Sequence, residues 1–102
     1  MAETKTRDEV DIDTEFDFIS PGMYKVIVQN DDHTPTDFVI ALMMHIFKHS
    51  EEHAKELTMQ IHKEGSAVAG VYTYEVAEQK GVESTMLARQ NGWPLAVRVE
   101  EE

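Results

Sequence analysis

Residues 30–35 read NDDHTP: an amide, two adjacent carboxylates and an imidazole, followed by Thr34 and Pro35. Acceptor oxygens and ring nitrogens at that density suit a cation or an amine, and a carboxylate beside an imidazole can also move a proton. His62 supplies a further imidazole, and His45, His49 and His53 step by four with Glu52 beside them. On a helix that step could turn three ring nitrogens and a carboxylate toward a metal ion.

Catalysis finds little to work with. Asp31, Asp32 and His62 could serve as a base and its orienter, but no G-x-S-x-G elbow or other motif presents a nucleophile to them. Gly65, Gly70 and Gly81 are too scattered for a phosphate-cradling loop. The absence of cysteine excludes disulfides, thiolate metal sites and a cysteine nucleophile together. The expectation is a protein that is not an enzyme, with no catalytic residues and no cofactor. The histidine ladder is weakened by Ser50, which breaks the helix between His49 and His53, so no metal ligands are assigned.

The hexapeptide has a structural explanation of its own. Thr34 reads as a helix N-cap, Pro35 fits the first helical position, and Asp37 sits favourably in the first turn. With Thr34 already capping, Asn30, Asp31 and Asp32 keep acceptors to spare, and spare acceptors need a donor. If His62 packs near the end of the preceding strand, it joins Asn30 and Asp32 at the rim of a pocket floored by apolar side chains. Such a cup fits an ammonium beside a greasy slot.

The elements that must place these groups follow from periodicity. Residues 23–29, MYKVIVQ, alternate as a strand, with Tyr24, Val26 and Val28 on one face and Lys25 and Gln29 on the other. Phe38, Val39, Leu42, Met43, Ile46 and Phe47 recur at helical spacing and predict a helix to about His49. Ser50 then caps a second helix carrying Ala54, Leu57, Thr58, Ile61 and His62 on one side and ending at Gly65. A β-branched run, 66–74, with Gly70 at its centre predicts a strand that something approaches closely. A third helix follows over about 74–91, stopped by Gly92 and Pro94, and 95–99 alternates as a last strand. The expected class is α+β, a small three-stranded sheet packed against three helices in the order β-α-α-β-α-β.

Bulk composition frames this domain. At 102 residues and 41% hydrophobic content the chain can build one modest core. A net charge of -11 argues against nucleic-acid or anionic-membrane partners, which require clustered cations. No run approaches the roughly 18 apolar residues of a membrane span, and no signal-peptide core is present. The first 20 residues hold seven acids against Lys5 and Arg7 and end at Ser20-Pro21-Gly22, so residues 1–21 read as a flexible acidic extension and 22–102 as the folded domain. Its Phe16–Ile19 stretch, FDFI, is either a domain-edge contact or a short docking motif.

Three ordered blocks, MYKVIVQNDDHTPTDFVI, MQIHKEG and GVYTYEVAEQK, closely resemble the ClpS family of adaptor proteins over about residues 22–99. The resemblance implies recognition of proteins whose first residue is a bulky hydrophobe, the N-degron, and their delivery to a ClpA- or ClpC-type AAA+ unfoldase of the Clp protease in the bacterial cytoplasm. It implies that Asn30, Asp32 and His62 hydrogen-bond the substrate's α-amino group, with Asp31 adding negative potential. The implied pocket walls are Val28, Thr34, Thr36, Val39, Thr58, Ile61 and Leu95. Thr36 and Thr58 stand where many relatives carry methionine, which implies a wider, more polar slot, tolerance of larger or β-branched side chains and weaker leucine binding. His33 and Gln29 also depart from the commoner pattern. Glu75 and Lys80 match positions used for docking on the unfoldase's N-terminal domain, and residues 1–21 correspond to the extension engaged during delivery. The rival reading is a metal-binding or regulatory ClpS-like domain whose N-degron recognition is altered or lost.

Overall fold

The computed structural model describes residues 22–102, so the acidic extension and its Phe16–Ile19 stretch lie outside the described residues. Three strands and three helices follow in the expected order: β1 Tyr24–Gln29, α1 Thr36–His45, α2 Glu51–Glu64, β2 Ser66–Tyr72, α3 Tyr74–Gln90 and β3 Ala96–Glu101. The sheet order is β2-β1-β3, with β1 antiparallel to both neighbours. The first strand is therefore central, and α3 carries the chain from one edge of the sheet to the other.

The residues of β1 suit that position. Val26 and Val28 are fully buried beneath the helices, while Ile27, on the opposite face, is still only 6% exposed between its cross-strand partners Val68 and Arg98. A strand apolar on both faces belongs in the middle of a sheet. The helices cover one face only, where Val26, Val28, Ala67 and Ala69 meet Val39, Leu42, Met43, Phe47, Leu57 and Ile61. Each large apolar side chain buried there contributes about 1.5–3 kcal/mol.

Local boundaries differ from expectation in two places. The helix predicted to reach His49 stops at His45. Lys48 takes a left-handed φ of 63°, and the His49 N–H turns back to the Met43 carbonyl at 3.1 Å. Ile46 and Phe47 keep the apolar period past that break because Phe47 is pulled into the core by burial rather than by helical geometry. At the other end the cap position of α1 is Pro35, with no side-chain cap, and the Pro35 carbonyl accepts the N–H groups of Phe38 and Val39. Thr34 is employed elsewhere, as described below.

The second helix is closed at both ends as its sequence suggests. Ser50 Oγ accepts the His53 N–H at 3.1 Å, and Gly65 ends the helix at φ 94° with its N–H on the Ile61 carbonyl. The close approach expected at Gly70 is made by the Tyr72 ring, which occupies the space a Cβ would need.

One backbone bond joins the two halves of the chemistry. The Asn30 N–H donates to the Gly65 carbonyl at 2.8 Å, tying the loop after β1 to the end of α2, three residues beyond His62. A Cβ at Gly65 would meet nothing within 4 Å, so substitution there acts through the backbone alone. Gly65→Ala is expected to lower stability by about 1–2 kcal/mol, the cost of a left-handed non-glycine residue, read as a lower urea midpoint at unchanged slope.

Candidate functional site

The loop 30–35 is organised by Asp31. Its Oδ1 accepts the N–H groups of His33 at 2.8 Å and Thr34 at 2.7 Å, and its Oδ2 accepts the Thr34 hydroxyl at 2.7 Å. The expected division of labour is thereby changed, because Thr34 does not cap α1 and the Asp31 carboxylate is not spare. Burial alone would push that carboxyl up, but the hydrogen bonds from Thr34 and His33 and the nearby His33 imidazole outweigh it, holding the group below its ordinary value of 3.8.

Next to this turn lies a cavity of about 270 Å³. Asn30, Asp31, Asp32 and His62 line its polar part, the first three from the loop and the last from the final turns of α2. Thr34, Thr36 and Val39 form one wall, and Thr58 and Ile61 form another on the same helical stripe as His62. Val39, Thr58 and Ile61 are each at most 6% exposed, whereas Asn30, Asp32 and His62 stand in solvent at the mouth. Among the described residues, the side chains of these last three make no hydrogen bond. An amide, a carboxylate and an imidazole thus line one opening beside Val39 and Ile61.

Two details bear on the shape of the walls. The Thr58 hydroxyl donates to the Ala54 carbonyl at 2.8 Å, so its proton is committed to the helix backbone. Val28 and Leu95, at 0% and 1% exposure, belong to the core and do not line the cavity.

The remaining nominated residues stand apart. His49 donates a ring N–H to the Ala69 carbonyl at 2.5 Å and packs against His53 at 4.7 Å between centroids, while His53 Nδ1 lies 3.5 Å from Glu56. Among the described residues, no group of three or more His, Cys, Asp or Glu is placed to hold a metal ion. Glu75 is exposed in the first turn of α3. Lys80 Nζ donates to the Ile46 carbonyl at 2.8 Å and lies 5.4 Å above the Tyr72 ring.

Sequence reasoning missed two hollows. A groove of about 350 Å³ between α3 and β3 is lined by Val82, Met86, Val97 and Val99 with Glu78 at its side, and among the described residues no set of polar groups converges on it. A second depression, about 300 Å³, shares Thr36, Thr58 and His62 with the first cavity and adds Ile40, Lys55 and Met59. Its signal was present in the spacing, since residues 36 and 40, and 55, 59 and 62, each fall on one helical stripe.

Comparison with known proteins places these residues in a family pattern. Residues 20–98 match the family model described as ATP-dependent Clp protease adaptor protein ClpS. The chain is 40% identical over 101 residues to the ATP-dependent Clp protease adapter protein ClpS of Shewanella halifaxensis, covering 99% of each. It is 45% identical over 83 residues to that of Bdellovibrio bacteriovorus, covering 81% of this chain and 73% of the relative. The fold is similar to the solved structure of Agrobacterium tumefaciens ClpS2 bound to L-phenylalaninamide, with a TM-score of 0.79, 38% identity, and coverage of 81% of this chain and all 100% of that one.

The Asp31 turn generates a pH-dependent expectation. A carboxylate held below its ordinary 3.8 stabilises the fold fully above that value and loses its contribution as pH falls through the folded one. Asp31→Ala should cost about 1 kcal/mol at neutral pH, the usual net loss for removing a hydrogen-bonding side chain from a turn. The gap in urea stability between variant and parent should then shrink in acid, and a gap independent of pH would show that the charge does not hold the turn.

Proposed function

The chain belongs to the ClpS family of adaptors of the ATP-dependent Clp protease, and from that premise we propose that it selects proteins by their first residue. It binds a bulky hydrophobic N-terminal residue through the free α-amino group and the side chain, and delivers its owner to a ClpA- or ClpC-type AAA+ unfoldase. The observation that carries this reading is the convergence of Asn30, Asp32 and His62, from two separate elements, on one cavity walled by Val39 and Ile61.

An α-amino group has a reference pKa of about 7.7–8.0, so near neutrality it is mostly an ammonium with three N–H donors. The Asn30 amide oxygen, the Asp32 carboxylate and an imidazole nitrogen of His62 are three acceptors for it. Asp31, bound into its turn, adds charge nearby rather than a direct bond. The ligand named with Agrobacterium ClpS2 supports this reading, because phenylalaninamide carries a free amine, a benzyl side chain and an amide where a peptide would continue. Charge-assisted hydrogen bonds of about 1.5–3 kcal/mol each and a buried apolar side chain worth about as much, less the ordering cost, give roughly micromolar affinity.

Thr36 and Thr58 widen the slot relative to methionine. With its proton on Ala54, Thr58 adds less polarity than its type suggests. Glu75, exposed on α3, is proposed to meet the unfoldase's N-terminal domain. Lys80, with one of its three donors committed to Ile46, is proposed to assist from beside it. The protein has no chemistry of its own in this scheme, works in the bacterial cytoplasm, and has neither nucleic acid nor membrane among its partners.

A labelled peptide beginning with free Phe is expected to bind with a Kd on the order of 1 μM, and its acetylated twin about 100-fold more weakly, since acetylation removes charge and donors together. Binding of neither peptide refutes the proposal. In a series beginning with Phe, Trp, Tyr, Leu or Ile, the parent should rank Leu low relative to Trp, and Thr58→Met should raise Leu against Trp. An unchanged ranking refutes the role assigned to the threonine.

A further inference from the structure

We propose that the depression beside the amine cavity receives the side chain of the substrate's second residue, and that Lys55 favours an acidic group there. The inference rests on the amine-binding reading above and extends it by one residue.

The geometry of a peptide leads to this place. The amine, side chain and carbonyl of the first residue branch from a single Cα. With the amine at Asn30, Asp32 and His62 and the side chain between Val39 and Ile61, the carbonyl branch is left to carry the chain out of the cavity. The next Cα is about 3.8 Å away across a trans peptide, so the second side chain starts beside the residues that bound the amine. His62, Thr36 and Thr58 line both hollows, so the second depression lies directly beside the first, partitioned from it by these side chains. Short side chains at Thr36 and Thr58 keep that partition low.

The lining states what would be accepted. Met59 is 54% exposed and Ile40 half-buried, an apolar floor left in water. Lys55 stands among acids: apart from His62, it is the only basic residue among the described residues that lines either hollow, in a chain of net charge -11. Its partner Glu51 is 3.2 Å away, but both side chains are more than half exposed, at 59% and 65%. A pair so solvated is weak, and Lys55 is able to exchange it for a ligand carboxylate. An acidic second residue, which Asp31 and Asp32 would otherwise repel, therefore finds its counter-charge at Lys55.

The test uses peptides beginning with Phe that differ only at the second position, Ala, Leu, Glu or Lys, against the full chain and the variants Lys55→Glu, Lys55→Gln and Met59→Ala. Lys55→Glu should move the ratio of affinities for Glu and Lys at the second position about fivefold toward Lys, with Lys55→Gln between it and the parent. Met59→Ala should reduce the preference for Leu over Ala at that position by about threefold. Binding of the Phe-Ala peptide should stay within about twofold in all three variants, since none of these residues belongs to the amine cavity. Second-position ratios that do not move, with Phe-Ala binding intact, overturn the inference and leave amine recognition standing. Variants that change the ratio of Trp to Phe at the first position instead show that the first side chain fills both hollows, which also overturns it. Failure of the parent to distinguish free from acetylated Phe-Ala overturns the amine reading itself.

Discussion

The main-chain hydrogen bond from Asn30 to Gly65 is the constraint on which the site depends. It fastens the end of the central strand to the last turn of α2, and so fixes where one loop and one helix face each other. The loop contributes an amide and carboxylates to the cavity and the helix contributes an imidazole, so neither segment alone supplies the set. The left-handed glycine is integral to this arrangement, because only a chain that reverses at Gly65 leaves that carbonyl pointing at the start of the loop.

Two adjacent aspartates illustrate how one local sequence divides structural work from cavity lining. Asp31 spends both carboxylate oxygens on the N–H groups of His33 and Thr34 and on the Thr34 hydroxyl, and Asn30 and Asp32 beside that turn line the cavity. The charge of Asp31 still contributes to the field at the mouth. Rigidity and negative potential thus come from the same group, which limits how far position 31 can change without disturbing its neighbour.

Much of the fold was legible because periodicity reports which side chains turn inward. The alternation in YKVIVQ located the central strand, and the stripe Leu57, Thr58, Ile61, His62 located the helix face beside it. Periodicity is silent on which inward residues border open space, so Val28 and Leu95 could be assigned to a pocket wall although they fill the core behind it. It also overran the end of α1, because Phe47 stays buried after the backbone has left the helix. Thr34 left its expected part for a different reason: it is a competent cap by type, but its hydroxyl donates to the Asp31 carboxylate two residues before the helix begins, a local turn that periodicity does not report. The meeting of residue 62 with residues 30–32 was legible only as a condition on how α2 packs against the end of the strand, and the bond from Asn30 to the Gly65 carbonyl is the contact that meets it.

The central position of β1 has a mechanical consequence. Gly22 leads straight into a strand bonded along both edges, and the Glu102 N–H closes on the Met23 carbonyl at 2.9 Å beside that entry. Tension applied through the residues before Gly22, along the strand, loads two ladders in shear at once instead of peeling one bond at a time. Unravelling the domain from that end requires both ladders to give way together.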